Sequence, residues 1–241
     1  MNNSILTIPV INLSLAFIPV LVVLIILFRW SLNSRAALYA VIRMLTQLVL
    51  IGYALSYIFA IENPAIVILV LIVMLTASSF ISFRTITNKN PAAFFTLFAS
   101  ITVGGITTVL FMTGIVLELD PWFLPQYLIP LAGMIIANCM NTVSLAAERF
   151  ESELKNNTSY DDARRTALNT SLIPTINSLL AVGLVSLPGM MTGQILSGVD
   201  PLIAVRYQII VMCMVFGSSG ISSACYLILQ KSGETILDAN G

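Results

Sequence analysis

The stretch Ala65 to Phe83 reads AIVILVLIVMLTASSFISF and contains no charged side chain. As an α-helix it is about 28 Å long, because each residue adds about 1.5 Å along the axis. The hydrocarbon core of a bilayer is about 30 Å thick, and an uncharged run of this length is typical of a transmembrane helix. The stretch therefore predicts a helical protein that spans a membrane.

The rest of the chain repeats this pattern. Apolar stretches separated by short polar segments lie at 7–28, 37–60, 65–83, 92–117, 123–147, 167–188 and 202–229. Over all 241 residues, 58% are hydrophobic and only 9% are charged, whereas soluble domains contain about 25% charged residues. We therefore expect an all-α integral membrane protein with about seven transmembrane helices, organised as a single transmembrane domain over residues 1–241.

The basic residues predict the orientation of these helices. Nine of the eleven Lys and Arg residues lie in alternate separators, at Arg29, Arg35, Arg84, Lys89, Arg149, Lys155, Arg164, Arg165 and Lys231. The other separators contain acidic residues such as Glu62 and Glu118 but no Lys or Arg. Because cytoplasmic loops carry the excess of positive charge, we expect the N-terminus outside and the C-terminus in the cytoplasm.

The two remaining basic residues, Arg43 and Arg206, lie inside predicted spans. A charge at this depth costs a few kcal/mol unless it reaches the interface or finds a partner. We expect the Arg43 side chain to extend toward the cytoplasmic headgroups or the subunit interior. Arg206 has two interpretations. In the first it is structural and either pairs with Asp200 or caps nearby backbone carbonyls; in the second it contacts the substrate.

Composition excludes several functions. Eleven basic residues balance eleven acidic ones, so no net positive field attracts nucleic acid. Histidine is absent, which removes the commonest metal ligand and the usual acid or base near neutral pH. No sequence of the form GxxxxGK[ST] is present, so an ATP-driven role requires a separate ATPase subunit. We expect a non-enzymatic chain that binds no cofactor of its own.

One long charged segment, residues 148–170, separates the fifth and sixth stretches on the predicted cytoplasmic side. Thr158 or Ser159 can cap a helix there. Acidic residues in the first turn of this helix and basic residues later complement its dipole. The candidate residues for docking a partner are Tyr160, Asp161, Asp162, Arg164 and Arg165. The segment predicts a short helix on the cytoplasmic surface, either a docking helix for a cytoplasmic partner or a solvated connector whose charges only set topology.

Three further segments carry a family resemblance. They read IPLAGMIIAN at 129–138, SLIPTINS at 171–178 and VGLVSLPGMMTG at 182–193. They resemble the signature segments of the iron-export ABC transporter permease family, a bacterial family that also includes plant aluminium-tolerance permeases. The resemblance covers nearly the whole chain, and its longest block, 182–193, is the most specific.

The resemblance implies a permease subunit, a homodimer that pairs with two copies of a separate ATP-hydrolysing protein. It further implies that the complex moves iron or a related metal out of the cytoplasm across the bacterial inner membrane, with ATP bound by the partner. Segment 148–170 would then be the coupling element that docks on the ATPase.

Polar and sulfur-containing residues at bilayer depth are the candidates for a substrate pathway. Met134, Asn138 and Asn141 follow an i, i+4, i+7 spacing, which places them on one helical face. Asn177, Met190 and Met191 are further candidates on the sixth stretch and at its end, where residues 187–198 predict a re-entrant or cavity-lining turn. Thioether and thiolate sulfur suits Cu(I) or iron–sulfur chemistry better than Fe²⁺, and each Met can equally fill a gap in an apolar core.

Met212, Cys213 and Met214 point to different sides of one helix, so we do not expect them to form a site alone. Small residues crowd the same span at 217–224 and predict a tight contact between helices.

Two other functional classes stay open. An ATPase-independent secondary transporter of metal or organic ions normally needs a buried carboxylate, yet the acidic residues all fall in predicted loops, tails or span ends. A structural membrane protein would tolerate charge reversal in segment 148–170 without loss of transport.

Overall fold

Capping side chains and prolines decide where several helices begin. Asn63, Asn90 and Asp200 each precede a proline, and each side chain accepts a hydrogen bond from a backbone N–H of the following helix, at 2.9, 2.6 and 2.8 Å. A capping side chain satisfies one of the free N–H groups of the first turn, and proline is favoured there because it has no N–H to satisfy. These local signals separate the apolar stretches into distinct helices.

The computed structural model describes residues 8–59, 63–87 and 89–238, with the backbone alone for 231–238. The predicted start of the first stretch, at residue 7, lies outside the described residues. So do the predicted end of the second stretch, at residue 60, and Glu62. The described helices are α1 (Val10–Leu15), α2 (Ile18–Arg29), α3 (Ser34–Ile58), α4 (Pro64–Phe83), α5 (Pro91–Phe111, continued by a π-helical turn at Met112–Val116), α6 (Pro125–Lys155), α7 (Tyr160–Ala181), α8 (Gly189–Leu196) and α9 (Pro201–Asp238). The all-α prediction is confirmed.

Six helical segments in the described part of the chain are long and apolar enough to cross a membrane: Val10–Arg29, Ser34–Ile58, Pro64–Phe83, Pro91–Val116, Pro125–Lys155 and Pro201–Gln230. They coincide with six of the predicted stretches. The remaining stretch, 167–188, lies mainly in α7, which is less apolar because its first turns are charged. The chain is a multi-pass membrane protein, and both the count of seven crossings and the orientation stay predictions.

The chain divides into two units, Met1–Ile61 and Glu62–Gly241. In the first unit, α2 packs against α3, and Leu24, Ile25 and Leu38 line the shallow groove between them. No side chain of these two helices is buried within the described chain. Such an apolar surface is suited to lipid or to another membrane helix.

In the second unit, α5, α6 and α9 pack against one another at the centre, with α4 and α7 on the outside. Leu97, Ile135 and Met214, one from each central helix, are fully buried. The helices α5 and α9 approach each other closely at Gly104, where an added Cβ would lie 2.6 Å from the Ser222 Cβ. The tight contact predicted for the small residues of the last span is therefore confirmed.

Segment 148–170 does not form a separate short helix, which corrects the sequence prediction. It contains the end of α6, a turn at 156–159 and the first half of α7. Ser159 caps α7 as predicted, since its side chain accepts a hydrogen bond from the Asp162 N–H at 3.3 Å. Because no glycine or proline lies between Ser159 and Pro174, nothing stops the helix, and α7 continues through Pro174 to Ala181.

Candidate coupling turn and substrate cavity

The coupling turn, residues 156–165, joins α6 to α7 and is held in place by Tyr160. The Tyr160 hydroxyl donates a hydrogen bond of 2.5 Å to the backbone carbonyl of Leu227 on α9. Its ring meets the buried ring of Phe150 on α6 edge-on, with centroids 5.6 Å apart. Tyr160 therefore ties the start of α7 to two other helices.

The other predicted coupling residues lie beside it on the first turns of α7. Asp161 pairs with Arg164 at 3.2 Å, and Asp162 with Arg165 at 3.9 Å. The Arg164 guanidinium lies 5.8 Å from the centre of the Tyr160 ring. The Arg165 side chain is 77% exposed, and ion pairs this exposed add little stability. The structure thus brings all five predicted residues together and leaves Arg165 accessible to a partner.

A second set of contacts holds the α4–α5 loop against the end of α6. The Thr87 N–H donates to both carboxylate oxygens of Glu151, at 3.0 and 3.3 Å, and Lys155 Nζ donates to Thr87 Oγ1 at 3.2 Å. These residues border a cavity of about 300 Å³ beside Tyr226. Sequence reasoning missed this contact, because Thr87 and Glu151 lie 64 residues apart and neither belongs to a motif.

The predicted pathway residues on α6 are only partly brought together. The Asn138 side-chain amide donates a hydrogen bond of 2.8 Å to the backbone carbonyl of Met134, and both residues are half-buried. Asn141 is exposed on α6, and Asn177 is exposed on α7. The structure does not join the six predicted residues into one site.

A different cluster lies between the end of α7, the turn after it, α8 and the first half of α9. A cavity of about 370 Å³ is lined there by Leu187, Met191, Gln208, Met212 and Cys213, among others. Leu187 and Met191 come from segment 187–198, most of which is the helix α8 and not the expected turn. Its role as a re-entrant or pathway-lining segment stays a prediction. Met190, the neighbour of Met191, is half-buried and is not among the lining residues.

The structure agrees with the expectation that Met212, Cys213 and Met214 do not form a site alone, since only the first two line this cavity. Met212 and Cys213 differ by about 100° around α9, yet both line this cavity, whereas Met214 is fully buried elsewhere. Met191 on α8 supplies the opposite wall, which the helical wheel of α9 alone does not reveal. One sequence signal points to this cavity, namely the break in the apolar pattern at 187–198. The chain after such a break has to pack back against a neighbouring helix, here α9.

The two charges inside spans have different surroundings. Arg43 is half-buried on α3 and Arg206 is exposed on α9, and neither forms an ion pair with the residues that the structure describes. The pair between Arg206 and Asp200, one of the two structural interpretations, is not formed among the described residues, and the Asp200 carboxylate caps α9 by accepting the Leu202 N–H. Arg206 is thus available to lipid headgroups or to another subunit.

Within the described ranges, no group of three or more His, Cys, Asp or Glu residues is placed to hold a metal ion. A metal contact there would combine at most two Cys or carboxylate groups with other donors such as Met sulfur, amide oxygen or backbone carbonyls.

The fold defines a multi-pass helical membrane protein, since six described helices are long and apolar enough to cross a membrane. The described chain contains no extended soluble domain. The sequence profile of the uncharacterised protein family UPF0014 matches residues 10–232, and the chain belongs to this family.

Several relatives match over most of their length. A UPF0014 membrane protein of Synechocystis is 36% identical over 82% of this chain and 83% of its own. The probable iron export permease protein FetB of Escherichia coli is 34% identical over 91% and 90%. The protein ALUMINUM SENSITIVE 3 of Arabidopsis thaliana is 30% identical over 86% and 81%. These relatives confirm the family resemblance seen in the sequence, and no solved structure matches the chain.

Proposed function

We propose that this chain is the membrane permease subunit of an ATP-driven exporter that moves iron or a related metal out of the cytoplasm. The observation that carries the proposal is the end-to-end similarity to a protein named a probable iron export permease. The working unit is a homodimer of this chain in the bacterial inner membrane, with two copies of a separate ATPase. The N-terminus faces outward and the charged turn faces the cytoplasm, in line with the positive-inside rule.

The energy source has to be another protein. The sequence contains no phosphate-binding GxxxxGK[ST] loop, which uses backbone N–H groups and a lysine to hold the nucleotide phosphates. ATP hydrolysis on a partner moves the substrate only if the two subunits are mechanically joined. The contact therefore has to lie on the cytoplasmic side of this chain.

The coupling turn suits that role. Tyr160 links it to α6 and α9 through Phe150 and Leu227, so a push on the turn reaches the central helices. Asp162 and Arg165 present exposed charges of opposite sign, which favours a partner surface with complementary charge. A flexible connector that only set topology would have no need of such an anchor.

The pathway lies among the membrane helices and includes polar or sulfur groups from α6 to α9. Met134, Asn138 and Asn141 on α6 and Asn177, Met190 and Met191 from α7 and α8 are the sequence-derived candidates. A secondary transporter would instead be driven by an ion gradient and would be indifferent to the ATPase.

The decisive experiment is ATP hydrolysis by the purified permease reconstituted in lipid with its candidate ATPase, with and without Fe²⁺ and a panel of competing metals. Stimulation by a metal, lost when the P-loop lysine of the ATPase is replaced, would support the proposal. Metal flux that persists without the ATPase and follows the membrane potential would contradict it in favour of secondary transport.

A further inference from the structure

The last two turns of α6 connect the coupling turn to the α4–α5 loop. The Thr158 hydroxyl, in the coupling turn, donates a hydrogen bond of 3.0 Å to the Glu153 carboxylate. Two residues earlier on the same helix, the Glu151 carboxylate accepts the Thr87 N–H of the loop. We propose that Glu151, Lys155 and Thr87 form a loop clamp that passes movements of the coupling turn on to α4 and α5. This role of the loop clamp rests on the proposed permease function.

The bonds of the loop clamp fix Thr87 from one face of α6. Its N–H donor atom lies 3.0 and 3.3 Å from the two carboxylate oxygens of Glu151, and its hydroxyl oxygen accepts a bond of 3.2 Å from Lys155 Nζ. Hydrogen bonds that involve a charged group are stronger than neutral ones, and both contacts are of that kind. Glu151 and Lys155 are four residues apart and therefore lie on the same helical face. A displacement of this face thus displaces Thr87.

The α4–α5 loop is also packed into the bundle. Ile86, next to Thr87, is only 5% exposed, so swinging the loop away from α6 would uncover a buried apolar side chain. At the other end of the loop, the Asn90 side chain accepts a hydrogen bond of 2.6 Å from the Ala93 N–H and caps α5. The loop that α6 holds is therefore bonded to the start of α5.

The end of α4 is attached to α6 at a second level. The Ser82 hydroxyl donates a hydrogen bond of 3.2 Å to the backbone carbonyl of Met140. Met140 and Glu151 lie about 16 Å apart along α6, because each residue adds about 1.5 Å. Two attachments this far apart resist pivoting of α4 about either one. Movement of α6 is therefore expected to carry the end of α4 with it.

The loop clamp reaches the helices that the contacts of Tyr160 leave out. Tyr160 bonds to Leu227 on α9 and packs on Phe150 of α6. Phe150 and Glu151 are neighbours on α6 and point about 100° apart, so one turn of α6 holds α9 through Tyr160 and the α4–α5 loop through Thr87. A push on the coupling turn then reaches α4, α5, α6 and α9 together. Alternating access needs movement of this kind, in which packed helices move as a group.

A loop tether with no part in coupling predicts a different result. Its loss would lower the melting temperature, while each folded complex would keep its full response to metal. Loss of a transmitting contact leaves the ATPase bound and lowers its response to metal. Binding of the ATPase and its response therefore have to be measured separately.

The test uses the permease reconstituted in lipid with its candidate ATPase, with Fe²⁺ and the competing metals as the stimulating ions. Glu151→Ala removes the acceptor of the Thr87 N–H. We expect this variant to retain the ATPase at the parent level in pull-down, and to lose metal stimulation of ATP hydrolysis at least about fivefold, the lower end of the usual coupling between two sites. Lys155→Met should act in the same direction. Glu151→Gln keeps one side-chain oxygen as an acceptor and should restore part of the stimulation.

Two matched controls change the same residue types outside the loop clamp. Glu148→Ala removes an exposed carboxylate about one turn earlier on α6, and Lys89→Met removes an exposed lysine of the α4–α5 loop. Both should respond to metal like the parent. A loss in these controls equal to the loss in Glu151→Ala would attribute the response to surface charge and would overturn the proposal.

The loop clamp can also be tested without the ATPase. Backbone hydrogen exchange in the purified permease reports how often the Thr87 N–H is released. In Glu151→Ala this amide should exchange at least about tenfold faster than in the parent, which corresponds to the usual strength of a bond to a charged group. Glu148→Ala should leave its exchange unchanged. Parent-level exchange in Glu151→Ala would show that the bond does not hold the loop and would overturn the proposal.

The outcomes separate the loop clamp from the proposed function. Parent-level metal stimulation in Glu151→Ala, with the ATPase bound, would overturn the transmission role and keep the permease. Absence of metal stimulation in the parent complex would remove the permease role and the transmission role with it, even where hydrogen exchange detects the bond between Glu151 and Thr87.

Discussion

The Tyr160 hydroxyl donates a hydrogen bond of 2.5 Å to the backbone carbonyl of Leu227, 67 residues away along the chain. This bond joins the first turn of α7 to the C-terminal half of α9, and the edge-on contact with Phe150 adds α6 to the same junction. A force applied to the coupling turn is therefore transmitted to two of the three central helices of the second unit. The following predictions test this junction and the packing around it.

Tyr160→Phe removes the hydroxyl but keeps the ring against Phe150. We expect a loss of about 1 kcal/mol, the usual net value of one hydrogen bond, and a melting temperature about 2–4 °C lower for a chain of this size. Metal-stimulated ATP hydrolysis should fall by more than this loss of stability explains. Thermal unfolding in detergent and the reconstituted ATPase assay measure the two effects.

Tyr127→Phe is the control for this change, because the described residues give the Tyr127 hydroxyl no side-chain hydrogen bond. Unchanged stability and unchanged coupling in Tyr160→Phe would contradict the role of the junction.

Arg165→Glu reverses the most exposed charge of the coupling turn. Because the Arg165–Asp162 pair is 3.9 Å long and largely solvated, its loss should cost the permease less than about 1 kcal/mol. Binding of the ATPase should weaken strongly, and the Arg164→Glu/Arg165→Glu double variant should abolish partner co-purification while the protein still inserts. Pull-down of the ATPase at equal membrane abundance checks this.

Lys89→Glu is the matched charge reversal, since Lys89 is exposed in the α4–α5 loop on the same predicted face. It should bind the ATPase normally. Partner recovery from the Arg164/Arg165 double variant at the parent level would refute docking at the coupling turn.

Gly104→Ala should disrupt the close contact between α5 and α9. The added Cβ would lie 2.6 Å from Ser222 Cβ and 2.9 Å from the Ser218 carbonyl oxygen, so α5 and α9 have to separate. Overpacking of this kind costs about 1–3 kcal/mol, which thermal unfolding in detergent detects.

Gly220→Ala tests the opposite case on α9, where no atom of the described chain lies within 4 Å of the new Cβ. Its stability should equal or slightly exceed that of the parent, because alanine favours helix more than glycine. Equal stability of the two alanine variants would show that the α5–α9 contact is not tight in the membrane.

Asn138→Leu tests the α6 pathway residues. Among the described residues, the Asn138 amide donates one hydrogen bond, to the Met134 carbonyl of its own helix, so its removal should leave stability nearly unchanged. If Asn138 lines the pathway, metal flux at equal abundance should fall severalfold, and Met134→Ala should act in the same direction. Transport into inverted vesicles measures this.

Thr76→Val removes a comparable bond, from Thr76 Oγ1 to the Ile72 carbonyl at 2.8 Å, on a helix outside the proposed pathway. Flux should be retained. Parent-level flux in Asn138→Leu would exclude Asn138 from the pathway.

Much of the architecture could be predicted from local sequence. The residues of each apolar stretch follow one another in the chain, so hydropathy located most of the long helices. Ser159 was identified as a cap for the same reason. The expected short coupling helix was wrong, because hydropathy marks the membrane boundary and not the end of a helix. The helix α7 crosses that boundary and runs on through Pro174 to Ala181.

The candidate sites were only partly predictable. The five coupling residues follow one another on the first turns of one helix, so the sequence located them as a group. The pair offered as one interpretation of Arg206 does not form with Asp200 in the described chain, where the Asp200 carboxylate instead accepts the Leu202 N–H. Thr87 and Glu151, which hold the α4–α5 loop, carry no signal that sequence spacing reveals.

The sequence by itself determined that this protein is helical, spans a membrane and belongs with a family of membrane proteins, because length, hydropathy and motifs are properties of contiguous residues. Only the tertiary structure decided that Met191 shares a cavity with Gln208, Met212 and Cys213, and that Tyr160 bonds to Leu227. These contacts depend on how α7 and α8 turn back against α9, and helices inside a membrane choose such packings by the fit of side chains from distant parts of the chain.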